Sequence, residues 1–540
     1  MKVKLWLVFL FTITLTFSIV SAAAVSDTLV FAISTDVDQL DPGDTNIVQV
    51  VDNIFEGLVK FKAGTTSIEP CLATSWEVSE DGKEITFHLR KGIQFHDGSD
   101  FNADAVVFSF ARQYDPNHSY HQYGKWLGWQ YLFSGVDRME KIDDYTVKLI
   151  LKKPNVSVLT SLAIHKVSIV SPSNAQKYEE DAFKYPCGTG PFKFVEWMKD
   201  DHITLIANDN YWRGKPQLNK LIFKVIPESA VRLMALEIGE IQGMEYPNPA
   251  DYDRINNNEN LVLMSQLGMN VGFLAMNTGY GYIDENKNNL HDSDLEPLVK
   301  TPGYFEPLTK KEVRQAINMA IDKQSIVDNI FMGTAIKAKN GMPPFMLGYN
   351  DEIEDYPYDP ERARELLSES GYPNGFEVTL HVMPVSRPYM FNPPKIAEAI
   401  QSYLAAVGIK ARIYQIDWSS YLLEIKDGKH QIALFGWIGD NGDPDNFMNT
   451  QHSINSASIG GTNTAFYIND EVQELFNAAL ATYDNEKRAT YYKKTQEIIH
   501  EDAGWVYLVH STQNIVFRNN IKGFILSPTG RLFFYPVWIE

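Results

Sequence analysis

The sequence predicts an α/β architecture: a strand-rich first part, a middle of strands alternating with helices, and terminal strand-like pieces that return to the first part. Three observations predict it. Period-two apolar runs crowd the first part, as in EITFHLRKG, where Ile85, Phe87 and Leu89 share one face. The middle alternates strand and helix signals, the pattern of a mostly parallel sheet wound with helices. QNIVFR and RLFFYPVWIE near the end read as strands again.

In chain order, TLVFAIS (Thr28 to Ser34) is a mostly apolar β run. After EITFHLRKG, FNADAVVFSFARQ reads as a helix starting near Asn102. TVKLILKKP puts Val147, Leu149 and Leu151 on one face, and Pro154 stops it. HITLIA and KLIFKVI are further strands. In LTKKEVRQAINMAIDK, Thr309 and Glu312 stand at capping-box spacing before a stripe of Val313, Ala316, Ile317 and Ala320. In YDPERARELLSESGYPNG, Asp359 is the N-cap, Pro360 opens the first turn and Gly371 ends the helix. Strand FEVTLHVMP, a helix from Pro394 to Val407, strand GIKARIYQID, helix DWSSYLLEIKDGKH and strand QIALFGW follow.

With 44% hydrophobic and 21% charged residues, the 540-residue chain has the composition of an ordinary soluble globular protein. MKVK, an uncharged run from Leu5 to Val20 and the small residues Ser21 to Ala24 read as a cleaved secretory leader, residues 1–24. No cysteine follows the apolar core for lipid attachment, so the mature chain is expected to be free in a periplasm. The formal net charge of −20 opposes nucleic acid and anionic membrane as partners. Cys71 and Cys187 are the two cysteines, and export predicts that they are bridged.

GxSxG, HExxH and GxxxxGK[ST] do not occur in the sequence. GTGPF (Gly188 to Phe192) lacks the following Lys-Ser or Lys-Thr of a phosphate cradle, and His118 and His121 read as parts of a polar loop. Asp284, Asn286, Asn288 and Asp292 fit a calcium-loop frame, but its glutamate position is Leu295, so the stretch reads as a solvated loop. GWIGDNGDPDNF (Gly436 to Phe447) places three aspartates and two asparagines at the end of the apolar run IALFGW. Asp443 and Asp445 flank Pro444 as ordinary turn and helix-start residues, whereas Asp440 has no such local role. The three aspartates are too close together to flank a glycosidic bond unaided.

GLVKFKAGTTSIEPCLATSWEVSEDGKEITFHLRKGIQFHDGSDFNADAVVFSFAR, GTGPFKFVEW, NVGFLAMNT, VRQAINMAIDK, PVSRPY and GWIGDNGDPDNF occur here in one order along nearly the whole mature chain. Together they resemble the family 5 extracellular solute-binding proteins of ABC importers, in the peptide and nickel group, and most of all its dipeptide binders. The resemblance implies a two-lobed periplasmic-binding fold with hinged lobes and an extra strand-rich subdomain in lobe one. Lobe one would run from Val25 to Leu267 and return at 510–540; lobe two would be residues 268–509, with NVGFLAMNT and LVHSTQNIV as the crossings.

It also implies that Arg387 holds a ligand carboxylate and Asp440 a ligand ammonium. Tyr389, Trp418 and the backbone of Trp437, Ile438 and Gly439 would line the pocket. Thr45 matches through a segment shorter than in the relatives. The segment from Gly279 to Pro307 looks added, and Cys71 and Cys187 do not match the family's disulfide positions. The expected protein is a monomeric receptor, not an enzyme, without cofactor, that delivers short peptides to a membrane permease. Longer oligopeptides, oligosaccharides, haem or a metal chelate are rival cargoes on the same scaffold. A secreted hydrolase using Asp440 with a distant carboxylate is the rival from another class.

Overall fold

The computed structural model describes residues 27–45, 48–282 and 298–540. The leader and the calcium-like frame at 284–295 lie outside the described residues. Among those described, no helix is long and apolar enough to cross a membrane.

The strand-rich part rests on one wing of the large sheet and a separate four-stranded sheet, beside two-stranded pairs at Val59–Phe61 with Ile68–Pro70 and Ile521–Lys522 with Trp538–Ile539. Thr28–Ile33 pairs in parallel with Lys220–Val225 on one side and with Gly243–Glu245 on the other. Antiparallel His202–Ala207 and Phe192–Met198 extend this sheet outward. Its buried residues Leu29, Phe31, Leu205 and Phe223 pack with Phe524, Leu532 and Phe534 from the chain end. The second sheet is a separate antiparallel subdomain of Ala73–Val78, Glu84–Leu89, Thr146–Leu151 and Val136–Asp143. Ile85, Phe87, Leu89, Val147, Leu149 and Leu151 all enter its core, as their alternation predicts. Helix Ala103–Tyr114 closes that core, and its N-cap Asn102 Oδ1 accepts from the Ala105 N–H at 3.2 Å.

In the α/β part, Glu377–Val382 runs parallel to Lys410–Gln415 and to Ile432–Ile438. Ile432–Ile438 then pairs antiparallel with Asn270–Met276. Helices Lys311–Ala320, Pro360–Glu369, Pro393–Ala406 and Trp418–Lys426 lie between these strands in the chain. Asp359 caps the second of them as predicted.

One 14-residue strand, Trp505–Arg518, joins the two parts. Its first residues pair with Asn270–Met276, and Thr512 to Arg518 pair with Leu261–Leu267. At the changeover, buried Asn270 accepts from the Ser511 N–H at 2.8 Å and donates to the Ser511 carbonyl at 3.0 Å. His510 Nδ1 lies 2.8 Å from the Asn270 carbonyl oxygen.

Three expectations are corrected. Cys71 and Cys187 are free and buried, not bridged. The Cys71 thiol lies 3.4 Å from Glu56, and the Cys187 thiol is hydrogen-bonded at Asp97, so each sulfur has its own carboxylate partner. Thr309 does not cap its helix: its hydroxyl turns back to the Glu306 carbonyl at 2.7 Å, because a short turn Glu306–Thr309 precedes Lys311–Ala320. Of RLFFYPVWIE only Trp538–Ile539 is strand; Leu532, Phe534 and Val537 instead serve as buried anchors of an extended tail.

Candidate functional site

Three parallel strands end along one edge, and in such sheets the carboxyl ends are where ligands are met. Beyond Glu377–Val382 comes the turn bearing Arg387 and Tyr389. Beyond Lys410–Gln415 comes Trp418, at the start of its helix, and beyond Ile432–Ile438 come Gly439 and Asp440. The fold therefore brings Arg387, Tyr389, Trp418, Trp437, Ile438, Gly439 and Asp440 to a common edge from three separate segments.

The Arg387 turn is closed by reciprocal backbone bonds with Met390, at 3.1 and 2.9 Å. The guanidinium lies over the Trp418 ring, 4.5 Å from its centroid, and Arg387 Nε is buried without a hydrogen-bond partner among the described residues. Trp418 in turn stacks on Tyr421 at 5.8 Å, and the Tyr421 hydroxyl donates to the Leu434 carbonyl. The ring that supports the guanidinium is thus anchored to the central strand.

Tyr389 lies over two glycines that face each other across the sheet, Gly272 and Gly436. A Cβ on Gly436 would stand 2.3 Å from the Tyr389 ring, and one on Gly272 would stand 2.2 Å from the Tyr389 carbonyl oxygen. Both positions need glycine for close approach, not for an unusual backbone angle. Burial pushes the Tyr389 hydroxyl up to about 12.

The acidic knot divides its work. Asp443 and Arg488 form a buried two-point ion pair at 2.7 and 2.9 Å, and Asp443 also accepts from the Asp445 N–H. Asp445 is pushed up to about 7 by burial and by its neighbour Asp443. Asn446 Oδ1 accepts from the Asp440 N–H at 2.9 Å and from Trp437 Nε1 at 3.1 Å. Gly439 N–H donates to the Met269 carbonyl at 2.8 Å, fixing the strand end. Among the described residues, Asp440 receives one side-chain bond, from Asn446 Nδ2 at 3.3 Å. Its side chain is open to solvent, yet protein surrounds it closely enough that desolvation raises its pKa to about 6; Asn446 and the charge of Lys166 oppose the rise.

The opposite wall comes from the strand-rich part. The Tyr131 ring sits 6.3 Å from Trp437, and its hydroxyl is hydrogen-bonded at Thr450. Asn441 Nδ2 donates to Ser161 Oγ at 2.8 Å, and Ser157 Oγ donates to Asp445 at 3.4 Å. These contacts close the two parts against each other around the knot. Thr45 stands on this facing wall, fully buried; its hydroxyl donates to Asp38 at 2.8 Å and its carbonyl accepts from Lys166 Nζ at 2.5 Å. The turn bearing it is held by a buried Asp41–Arg112 ion pair at 2.7 Å.

Sequence reasoning missed Lys166, Tyr131, Asn446 and Arg488. Only Asn446, inside the knot, had a local signal, since a turn with several acids needs donors nearby. A cavity of about 240 Å³ lies elsewhere, lined by Asp52, Phe61, Arg531 and Phe533 among others and by none of the predicted site residues. Among the described residues, no three His, Cys, Asp or Glu side chains cluster to hold a metal ion.

The model of bacterial extracellular solute-binding proteins, family 5 middle, matches residues 67–458. Haem-binding protein A of Haemophilus influenzae is 38% identical over 90% of this chain and 87% of its own. The dipeptide-binding protein of Escherichia coli is 39% identical over 90% of this chain and 89% of its own. Among solved structures, the ABC transporter-associated periplasmic binding protein DppA from Helicobacter pylori, in complex with peptide STSA, superposes with a TM-score of 0.75. It is 35% identical and covers 95% of this chain and 98% of that one. A family match over most of the chain, relatives above 30% identity across nine-tenths of it, and the two-part fold agree: the chain belongs to family 5 of the bacterial extracellular solute-binding proteins.

Proposed function

We propose that this chain captures dipeptides between its two lobes and delivers them to the permease of an ABC importer. The observation that carries the reading is the pairing of a cation and an anion, Arg387 and Asp440, at the ends of neighbouring parallel strands, each propped by aromatic or amide side chains and neither, among the described residues, used in a structural ion pair. A dipeptide is a zwitterion whose charged ends stand about 6 Å apart at ~3.3–3.6 Å per extended residue. Arginine offers a planar fork to the carboxylate, and Asp440 accepts from the ammonium. A longer peptide would drive its next residue into one of the two. Tyr389, Trp418 and Trp437 form side-chain walls, and water satisfies varied polar groups between them.

In this reading the lobes meet at 267–268 and 509–510, and contacts such as Asn441 to Ser161 form on closure. Ligand bound to one lobe gains contacts from the other and shifts the population toward the closed form. The leader is removed on export, the mature chain works as a monomer outside the cytoplasm, and energy is supplied by a separate ATPase. No nucleophile–base pair is assigned and no turnover is expected.

Calorimetry tests the reading. Ala-Ala is expected to bind, with tripeptides and cello-oligosaccharides weak or silent, and Arg387→Ala and Asp440→Ala are each expected to lose at least about tenfold, ~1.4 kcal/mol. Unchanged affinity in either variant removes that residue from the site. The name of the Haemophilus influenzae relative makes haem the second cargo to assay: a Soret shift on titration, with no dipeptide binding, would replace the dipeptide reading.

A further inference from the structure

We infer that Lys166 is a specificity residue of the cleft, favouring peptides whose first residue carries a side-chain carboxylate. This rests on the reading of Asp440 as the partner of the ligand ammonium. Lys166 lies on the wall opposite Asp440. Its stem packs on Gly128, where a Cβ would stand 2.8 Å from Lys166 Cδ. Gly128 belongs to the helix Leu127–Leu132, whose Tyr131 faces Trp437. Ser161, five residues before Lys166, is bonded to Asn441, the neighbour of Asp440. Two independent contacts thus hold this segment against the acidic knot, and the charge of Lys166 is felt at Asp440.

The ammonium of Lys166 has donors to spare. A lysine carries three; among the described residues it donates to the Thr45 carbonyl. The acids around it are engaged elsewhere. Asp41 is paired with Arg112, Asp44 accepts the N–H groups of Lys125 and Trp126, and Asp38 accepts from Thr45 and Gln39. A partly buried cation that touches no carboxylate among the described residues is poised to receive one.

A dipeptide with aspartate or glutamate first supplies it. The side-chain carboxylate branches from the carbon that bears the ammonium, so both charges arrive at the same end of the ligand. The ammonium meets Asp440 on one wall while the side chain meets Lys166 on the other. A lysine in first position would instead set two cations against each other.

The test compares Glu-Ala with its neutral isostere Gln-Ala, and with Lys-Ala, by calorimetry on the full mature chain. Glu-Ala is expected to bind at least about tenfold more tightly than Gln-Ala, the size of one charge-assisted hydrogen bond. In Lys166→Met the ratio is expected to fall within about twofold, and in Lys166→Arg to persist. No preference in the unmodified protein, or a preference that survives Lys166→Met, overturns the inference whether or not other variants fold. Asp440→Ala separates the two readings. If it abolishes Gln-Ala binding while the Glu-Ala preference is absent, Lys166 alone is refuted. If Gln-Ala binding is indifferent to Asp440, the ammonium assignment falls and this inference with it.

Discussion

Lowering the pH from 7 to 5 is expected to weaken dipeptide binding about tenfold through Asp440. Its pKa of about 6 in the ligand-free protein means that about nine in ten molecules carry an ionised carboxylate at pH 7 and about one in ten at pH 5. A ligand ammonium is attracted by the ionised form, so affinity falls with that fraction, by ~1.4 kcal/mol over the interval. The termini of the peptide do not titrate strongly there, with an α-carboxyl near ~3.5 and an α-amine near ~8. Burial pulls the pKa of His165, behind Thr45, well below the usual imidazole range.

Asp445, at about 7, does titrate, so the comparison is made against Asp440→Asn, which keeps Asp445. Calorimetry with Ala-Ala in buffers of different ionisation heat reads both affinity and proton release. Binding at pH 5 is expected to release close to one proton, and binding at pH 7 very little. The sign follows from the raised pKa: the ligand-free fold holds this proton more tightly than the unfolded chain, and the ligand expels it. A flat affinity from pH 7 to 5, or proton release that persists in Asp440→Asn, would refute the reasoning.

Gly436→Ala is expected to push Tyr389 off the sheet, at about 1–3 kcal/mol of overpacking, read as a lower melting temperature together with weaker Ala-Ala binding. Arg488→Met leaves the Asp443 carboxylate buried and unpaired, so urea unfolding is expected to show a loss of about 3–5 kcal/mol. Both cysteines are expected to resist a thiol reagent in the folded protein and to react in urea without prior reduction, with a reducing agent leaving the melting temperature unchanged. An intact mass lower by two hydrogens before reduction would restore the bridge.

The strands and helices were legible because burial imposes a period on each: Ile85, Phe87 and Leu89 alternate into one core, and Val313, Ala316, Ile317 and Ala320 line another. The peculiarity of Asp440 was legible too, as the one acid of the knot without a turn to build, and the structure gives Asp443 the ion pair and Asp445 the helix start. What stayed hidden depends on distant partners. Lys166 in SLAIHKVSI has no pattern around it; only folding sets it opposite a residue 274 positions later. The thiols were misjudged because compartment predicts oxidation without saying which groups meet. Thr309 and Glu312 had the spacing of a cap, but a preceding turn took the threonine for itself.

The strand Trp505–Arg518 is laddered into both halves, with a register shift opposite Gly272 and Phe273. Sliding one half along the other would shear a whole row of its hydrogen bonds, whereas rotation about the strand's own axis leaves that row intact. If the lobes close on a ligand as proposed, the molecule would turn as two plates on a torsion bar, with the Asn270 clamp as its weld. A mutation there should alter how stiffly the jaws turn, while leaving the surfaces they press together untouched.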